Sequence, residues 1–156
     1  MKLTSNKLYL YGIKLLSIRD RSEKELIEKF KNKGYGEEEI RNIIDKLKEQ
    51  GYVNDYKFAL NWVKTRSEKK LLGRRRLEQE LRAKGVEEEI IKKCLADFDD
   101  SLTLTNMKEL LKKKYPGISK GDLKMIRRAS SFIQRRGYQN KDLFKLLELI
   151  NEEDQL

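Results

Sequence analysis

The sequence predicts an all-α protein: a tandem array of three three-helix repeats, elongated and curved. Three observations carry this. Apolar residues recur at helical spacing along nearly the whole chain, while period-two alternation and β-branched runs are scarce. A block of residues reappears at a constant offset of 51. Finally, 156 residues with 38% hydrophobic and 40% charged content suit several thin cores shared between neighbours better than one thick core. So high a charged fraction approaches the composition of disordered chains, but a disordered chain would lack the helical periodicity.

The first helix is read over residues 8–19, with Leu8, Gly12, Leu15, Leu16 and Arg19 along one face. Ser22 and Glu25 have the spacing of a capping box, in which each side chain satisfies a free amide at a helix start. Leu26 and Phe30 then form an apolar i, i+4 pair, and Lys33-Gly34 ends the second helix. The third opens on Glu37, Glu38 and Glu39, carries Ile40, Ile43, Ile44 and Leu47 inward, and closes near Lys46 and Lys48, a charge order that complements the helix dipole. Gly51 is a stop, and Asn54 or Asp55 caps the next helix, which turns Phe58, Ala59, Trp62 and Val63 to one side.

Leu26, Phe30, Lys33 and Gly34 recur as Leu77, Leu81, Lys84 and Gly85. Glu37 to Ile40 return as Glu87 to Ile90 after a one-residue deletion, which sets Cys94 in the place of Ile44 and makes it a core residue. A fainter third copy matches Ala129, Ile133, Arg136, Gly137 and Tyr138, followed by Leu143, Leu146 and Leu147. Its first helix is expected over about Asn106 to Tyr115, ended by Pro116-Gly117, and its second from Ser119 or Lys120. The repeats are accordingly drawn at 1–55, 56–100 and 101–156.

Several kinds of chemistry find no support. There is no histidine to move protons near neutral pH, and a core Cys94 lacks a base to activate it. No glycine-rich phosphate loop ending in Lys-Ser or Lys-Thr is present, and a single cysteine gives neither an internal disulfide nor a cysteine-rich zinc site. Asp97, Asp99 and Asp100 could hold Mg²⁺ as in a nuclease, although a helix end and linker is the ordinary place for such a solvated turn. The expectation is a non-enzyme with no cofactor and no metal. Lys14 interrupts the apolar N-terminal stretch and nothing approaches a membrane-spanning run, so a cytoplasmic monomer with no membrane partner is expected.

The charge is the strongest functional signal. With 36 Lys and Arg against 26 Asp and Glu the chain carries +10, an excess that draws a protein toward polyanions. Each of the three segments holds twelve basic residues, against ten, nine and seven acidic ones, so the excess rises from +2 to +3 to +5 along the chain. Between 64 and 76, Lys64, Arg66, Lys69, Lys70, Arg74, Arg75 and Arg76 face only Glu68, and the arginines suit bidentate phosphate contacts. Arg66 follows an apolar stripe and also reads as structural. Lys112, Lys113 and Lys114, Arg127 and Arg128, and Arg135 and Arg136 form further clusters that could extend the same track or simply solvate helix faces. Tyr35, Tyr52 and Tyr138 each follow a glycine. Such tyrosines can stack on bases, but stapling helices is the favoured reading.

Beyond these features, Arg19, Arg21-Ser22, Leu26, Gly34-Tyr35, Gly51-Tyr52-Val53-Asn54-Asp55 and Phe58-Ala59, continuing through Arg66 and Gly73 to Leu77, Glu80-Leu81 and Lys84-Gly85-Val86, resemble the RecX family of bacterial regulators of the RecA recombinase. The resemblance covers about residues 8–90; the third repeat matches only in periodicity. It implies tandem three-helix repeats and binding to the groove of a RecA filament on single-stranded DNA, with double-stranded DNA as a further candidate partner. It further implies modulation, chiefly inhibition, of filament extension, ATPase and strand exchange in recombination, DNA repair and the SOS response. The competing expectation is a free-standing single-stranded nucleic-acid-binding module.

Overall fold

The computed structural model describes residues 2–98 and 101–153. Among the described residues it is all-helical, with nine helices and no strand: α1 (Lys2–Ile18), α2 (Glu23–Asn32), α3 (Glu37–Glu49), α4 (Asp55–Lys69), α5 (Arg74–Ala83), α6 (Glu88–Ala96), α7 (Ser101–Lys114), α8 (Leu123–Arg135) and α9 (Asn140–Glu153). None is long and apolar enough to cross a membrane. Three boundaries differ from expectation. The first helix already begins at Lys2, and α7 begins at Ser101 instead of near Asn106, because Leu104 extends the stripe of Met107, Leu110 and Leu111 by a turn. The helix expected from Ser119 or Lys120 starts at Leu123, where the Asp122 carboxylate accepts the Met125 N–H at 2.9 Å as an N-cap.

The chain divides into two compact units, one of Met1–Trp62 with Glu80–Cys94 and the other of Val63–Gln79 with Leu95–Leu156. These units cut across the repeat boundaries drawn from the sequence, and the reason lies in how helix ends are satisfied.

Four helix C-termini close in one way. Gly34, Gly51, Gly85 and Gly137 all have positive φ, between +76° and +95°. At each, the glycine N–H and the next N–H turn back onto carbonyls of the last helical turn: Gly34 to Lys31 and Tyr35 to Phe30, Gly51 to Lys48 and Tyr52 to Leu47, Gly85 to Arg82 and Val86 to Leu81, Gly137 to Gln134 and Tyr138 to Ile133. This is the Schellman closure, which needs a residue tolerant of the left-handed region and favours an apolar residue after it. Val86 and Tyr138 are buried and Tyr35 is half-buried, as helix staples should be. Tyr52 departs from that expectation: 55% of it faces solvent.

In the first unit α3 packs on α1 and α2, with Leu8, Leu26, Phe30 and Leu47 fully buried. Gly12 is buried in the middle of α1, where an added Cβ would lie 3.1 Å from the Phe30 ring and 3.2 Å from Leu47, so the missing side chain permits the close approach. The capping box forms: Ser22 Oγ accepts the Glu25 N–H at 3.2 Å and the Glu25 carboxylate accepts the Ser22 N–H at 3.1 Å. Asp55 adds to it by accepting the Glu23 N–H at 2.9 Å. Ser22, fully buried, also donates its hydroxyl to the Lys84 carbonyl at 2.7 Å, so the start of α2 sits on the C-terminal end of α5. Two cations then converge on Glu25: Arg19 through both nitrogens at 3.0 and 3.2 Å, and Lys84 at 2.5 Å. Lys84 lies over the Trp62 ring, and Trp62 donates its indole N–H to Glu80 at 2.9 Å. Phe58 is buried and stacks on the half-buried Trp62. Cys94 is a core residue as expected, and burial pushes its thiol pKa up.

In the second unit α9 packs on α7 and α8 around Met107, Ala129, Ile133, Leu143 and Leu147. Here the start of α5 meets the end of α8. The Gly73 N–H donates to the Arg136 carbonyl at 2.7 Å and the Arg75 N–H to the Gly137 carbonyl at 3.3 Å. Serine 22 plus 51 is glycine 73, and the end of α8 stands to α5 as the end of α5 stands to α2. A similar junction therefore appears once within each unit, each time giving a donor to the carbonyl end of a helix: the Ser22 hydroxyl in the first unit and the Gly73 and Arg75 N–H groups in the second.

Alanine at the related glycines should separate strain from contact. Gly34 has open space around it, so Gly34→Ala should cost only the left-handed strain, about 1–2 kcal/mol. At Gly137 a Cβ would lie 2.5 Å from the Arg76 backbone nitrogen and 2.7 Å from the Gly73 carbonyl, so Gly137→Ala should lower the urea midpoint distinctly further. Acid should act on the first unit. Burial opposes the charge of Glu25, but Arg19, Lys84 and the Ser22 amide outweigh it and hold the carboxyl at about 2. Because this folded pKa lies below the ordinary glutamate value of about 4.3, the stabilisation is complete above that value and is lost as pH falls toward 2. Denaturation midpoints of Glu25→Gln should accordingly vary less than wild type between those limits.

Candidate functional site

The basic residues anticipated from the sequence fall into two groups within the second unit. Lys69, Lys70, Arg74, Arg75 and Arg76 occupy the end of α4, a short loop and the first turn of α5. The loop is clasped to the end of α8 at several points besides the two backbone bonds. Arg136 donates from its guanidinium to the Lys70 carbonyl. Tyr138 donates its hydroxyl to the Leu71 carbonyl at 2.6 Å, and burial pushes the pKa of that hydroxyl up to about 12. Leu71 itself has φ +53°, an uncommon conformation for a residue with a side chain, and it packs against the core beneath α8. Gly73 and Gly137 meet so closely that a Cβ on Gly73 would lie 2.6 Å from the Gly137 carbonyl carbon. The clasp thus brings Lys69 to Arg76 beside Arg135 and Arg136, which stand 59 or more residues away in sequence.

The clasp also sorts the arginines. Arg74 is half-buried, donates to the Leu95 carbonyl at 2.8 Å and lies 5.4 Å from the centre of the Phe98 ring. Arg136 is half-buried and turned onto the loop. Both guanidinium groups are engaged in holding chain segments. Lys69, Lys70, Arg75, Arg76 and Arg135 are exposed. Arg66 is half-buried, and its backbone carbonyl accepts the N–H groups of Lys70 and Leu72 at the end of α4.

The second group gathers where α7 ends beside α8. Lys112, Lys113, Lys114, Arg127 and Arg128 are all exposed. Lys113 pairs with Glu109 at 3.2 Å, a surface i, i+4 contact worth about 0.3–0.5 kcal/mol. Lys114 lies 4.2 Å from the centre of the Phe132 ring, and the Tyr115 hydroxyl donates to the Arg128 carbonyl at 3.3 Å. Arg128 and Arg135 are seven residues apart on α8 and so share a face about 10 Å apart along it. Exposed Lys124 lies one turn before Arg128 on that face. It is a residue the sequence clusters missed, since it stands alone between Gly121-Asp122 and Arg127.

For the acidic candidates, Asp97 is exposed just after α6, while Asp99 and Asp100 lie outside the described residues. No group of three or more potential metal ligands occurs among the described residues.

Comparison with known proteins agrees with this architecture. The family model described as RecX, first three-helix domain, matches residues 9–52, and that of the RecX second three-helix domain matches residues 54–95. A regulatory protein RecX of Mycolicibacterium smegmatis is 32% identical over 149 residues, covering 91% of this chain and 79% of its own. That of Chlorobium phaeobacteroides is 31% identical over 144 residues, covering 92% and 93%. A crystal structure of RecX from Lactobacillus salivarius shares the fold with a TM-score of 0.82 at 22% identity, over the full length of both chains. A second crystal structure, of a regulatory protein RecX, has a TM-score of 0.79 at 23% identity, and the match covers 91% of this chain and 70% of that one. With both three-helix domains matched in order and relatives this similar across most of their length, the chain belongs to the RecX family of regulatory proteins.

Proposed function

We propose that this protein binds a RecA recombinase filament on single-stranded DNA and restrains its extension, ATP turnover and strand exchange. It would do so as a cytoplasmic monomer, without cofactor or catalytic residue, in recombination, DNA repair and the SOS response. Residues 1–55, 56–100 and 101–156 would act as three repeats, each adding modest affinity. The observation that supports this best, beside the family, is the clasp: it gathers Lys69, Lys70, Arg75, Arg76 and Arg135 on a braced backbone. Preorganised cations lose less entropy on meeting phosphate or acidic protein than the same residues on a loose loop. Lys112 to Lys114, Arg127 and Arg128 would extend the contact, while Arg74 and Arg136 would serve it by holding the loop.

The test is filament extension and ATP hydrolysis by a purified recombinase on single-stranded DNA with increasing amounts of this protein. Wild type should slow both. Arg75→Glu with Arg76→Glu should raise the concentration needed by at least roughly tenfold, about 1.4 kcal/mol, at unchanged helical content. Arg74→Met should instead lower the unfolding free energy by about 1.5–3 kcal/mol for a lost bond to a charged group, seen as a lower denaturation midpoint. Full potency of the double variant would remove Arg75 and Arg76 from the interface. Tight, steeply salt-dependent binding to bare single-stranded DNA with no effect on the recombinase would favour a free-standing nucleic-acid-binding module instead.

A further inference from the structure

The second unit contains a cleft of about 340 Å³ where the first turns of α5, α7 and α9 come together. Its rim carries Arg75 from α5 and Lys141 and Lys145 from α9, all exposed and none paired with another side chain among the described residues. Lys141 and Lys145 are one helical turn apart and point to the same side. Facing them, Thr103 of α7 offers a hydroxyl and Gln139 an amide. The acid in the lining, Asp142, is already occupied, accepting the Gln139 N–H at 3.3 Å. Buried Tyr138 and half-buried Leu104 make the floor, and the tyrosine hydroxyl points away to Leu71.

Three exposed cations against one carboxylate leave the recess net positive. The positive ends of three helices add to its field. A protein partner would need apolar or aromatic anchors at the centre of its interface, whereas here the exposed groups at the rim are cationic and the half-buried aliphatic side chain of the lining, Leu104, lies on the floor. Polar donors around a positive recess are what surfaces reading a nucleic-acid backbone present: a guanidinium fork and two ammonium groups for phosphate oxygens, a hydroxyl and an amide for phosphate or sugar. We infer that this cleft seats the phosphodiester backbone of a nucleic-acid strand, with Arg75, Lys141 and Lys145 as the phosphate ligands. The assignment deepens the proposed function and rests on its nucleic-acid contact. It adds two lysines of α9 that belong to neither basic group described above, and it sets the path of the strand across the start of α9.

Salt-dependent binding of the full chain to a fluorescent oligonucleotide tests it. Each phosphate contact removed should reduce the slope of log K against log salt by about 0.7 for a single strand. Lys141→Gln with Lys145→Gln should therefore flatten the slope by about 1.4 and weaken low-salt binding by roughly tenfold or more. Amide NMR of Thr103 and Gln139 gives the location. Both signals should shift with oligonucleotide, at concentrations well below those at which nucleoside triphosphate or pyrophosphate move them. An unchanged slope in the double variant, with wild type binding normally, would overturn this site while leaving the recombinase reading intact. Equal or tighter response to the triphosphate would overturn a strand as the occupant, and so would a response to an acidic peptide alone. Absence of any oligonucleotide binding by wild type would also overturn it, whereas the filament assay judges the regulatory reading independently.

Discussion

The structure depends on helix ends that satisfy one another. A helix leaves amides without acceptors at its start and carbonyls without donors at its end, and leaving such groups unpaired away from water is costly. Here α2 and α5 each begin on a carbonyl that closes a helix far along the chain: Lys84 accepts the Ser22 hydroxyl, while Arg136 and Gly137 accept the N–H groups of Gly73 and Arg75. Both closures end on a glycine of positive φ, and only a residue without Cβ fits beneath the incoming helix, with Lys24 at Gly85 and Arg76 at Gly137. The glycine thus performs two jobs. It turns the chain out of one helix and clears room for the start of another.

Charge follows from this geometry. In the first unit the junction is secured by an acid: Glu25 draws Arg19 and Lys84 to itself, so two cations are spent on structure. In the second unit the corresponding junction has glycine in place of the serine, and the bracing passes to Arg136 and Tyr138, which grip carbonyls. The neighbouring Lys69, Lys70, Arg75 and Arg76 are exposed. One fold therefore yields an inward-looking ion cluster at one junction and an outward-looking basic surface at the other.

Most of the helical plan was legible from the residues because its signals are local. The Ser22 and Glu25 box, the Ile40 to Leu47 stripe and the Gly-Tyr endings each specify their element within one or two turns. Cys94 was legible as core because the repeat set it where Ile44 stands. What escaped depends on contacts distant in sequence. Arg74, Arg75 and Arg76 look alike in a row, yet Arg74 alone is drawn to Leu95 and Phe98. Tyr52 follows its glycine as Tyr35 and Tyr138 do, but remains mostly exposed. Lys141 and Lys145 were overlooked because nearby Asp142 and Glu148 mask them in any count along the chain, and only folding sets them opposite Arg75.

The clasped loop also bears on how the chain survives in a cell. Lys69 at the end of α4 and Lys70 after it are exposed and basic, the sort of site that a protease cutting after lysine would favour. Yet the carbonyls of Lys70 and Leu71 are held by Arg136 and Tyr138, and Leu71 is kept in a left-handed turn far from the extended form that a protease cleft accepts. Cleavage there requires the end of α8 to release the loop first. The bonds that brace the basic surface therefore also guard the peptide beside it.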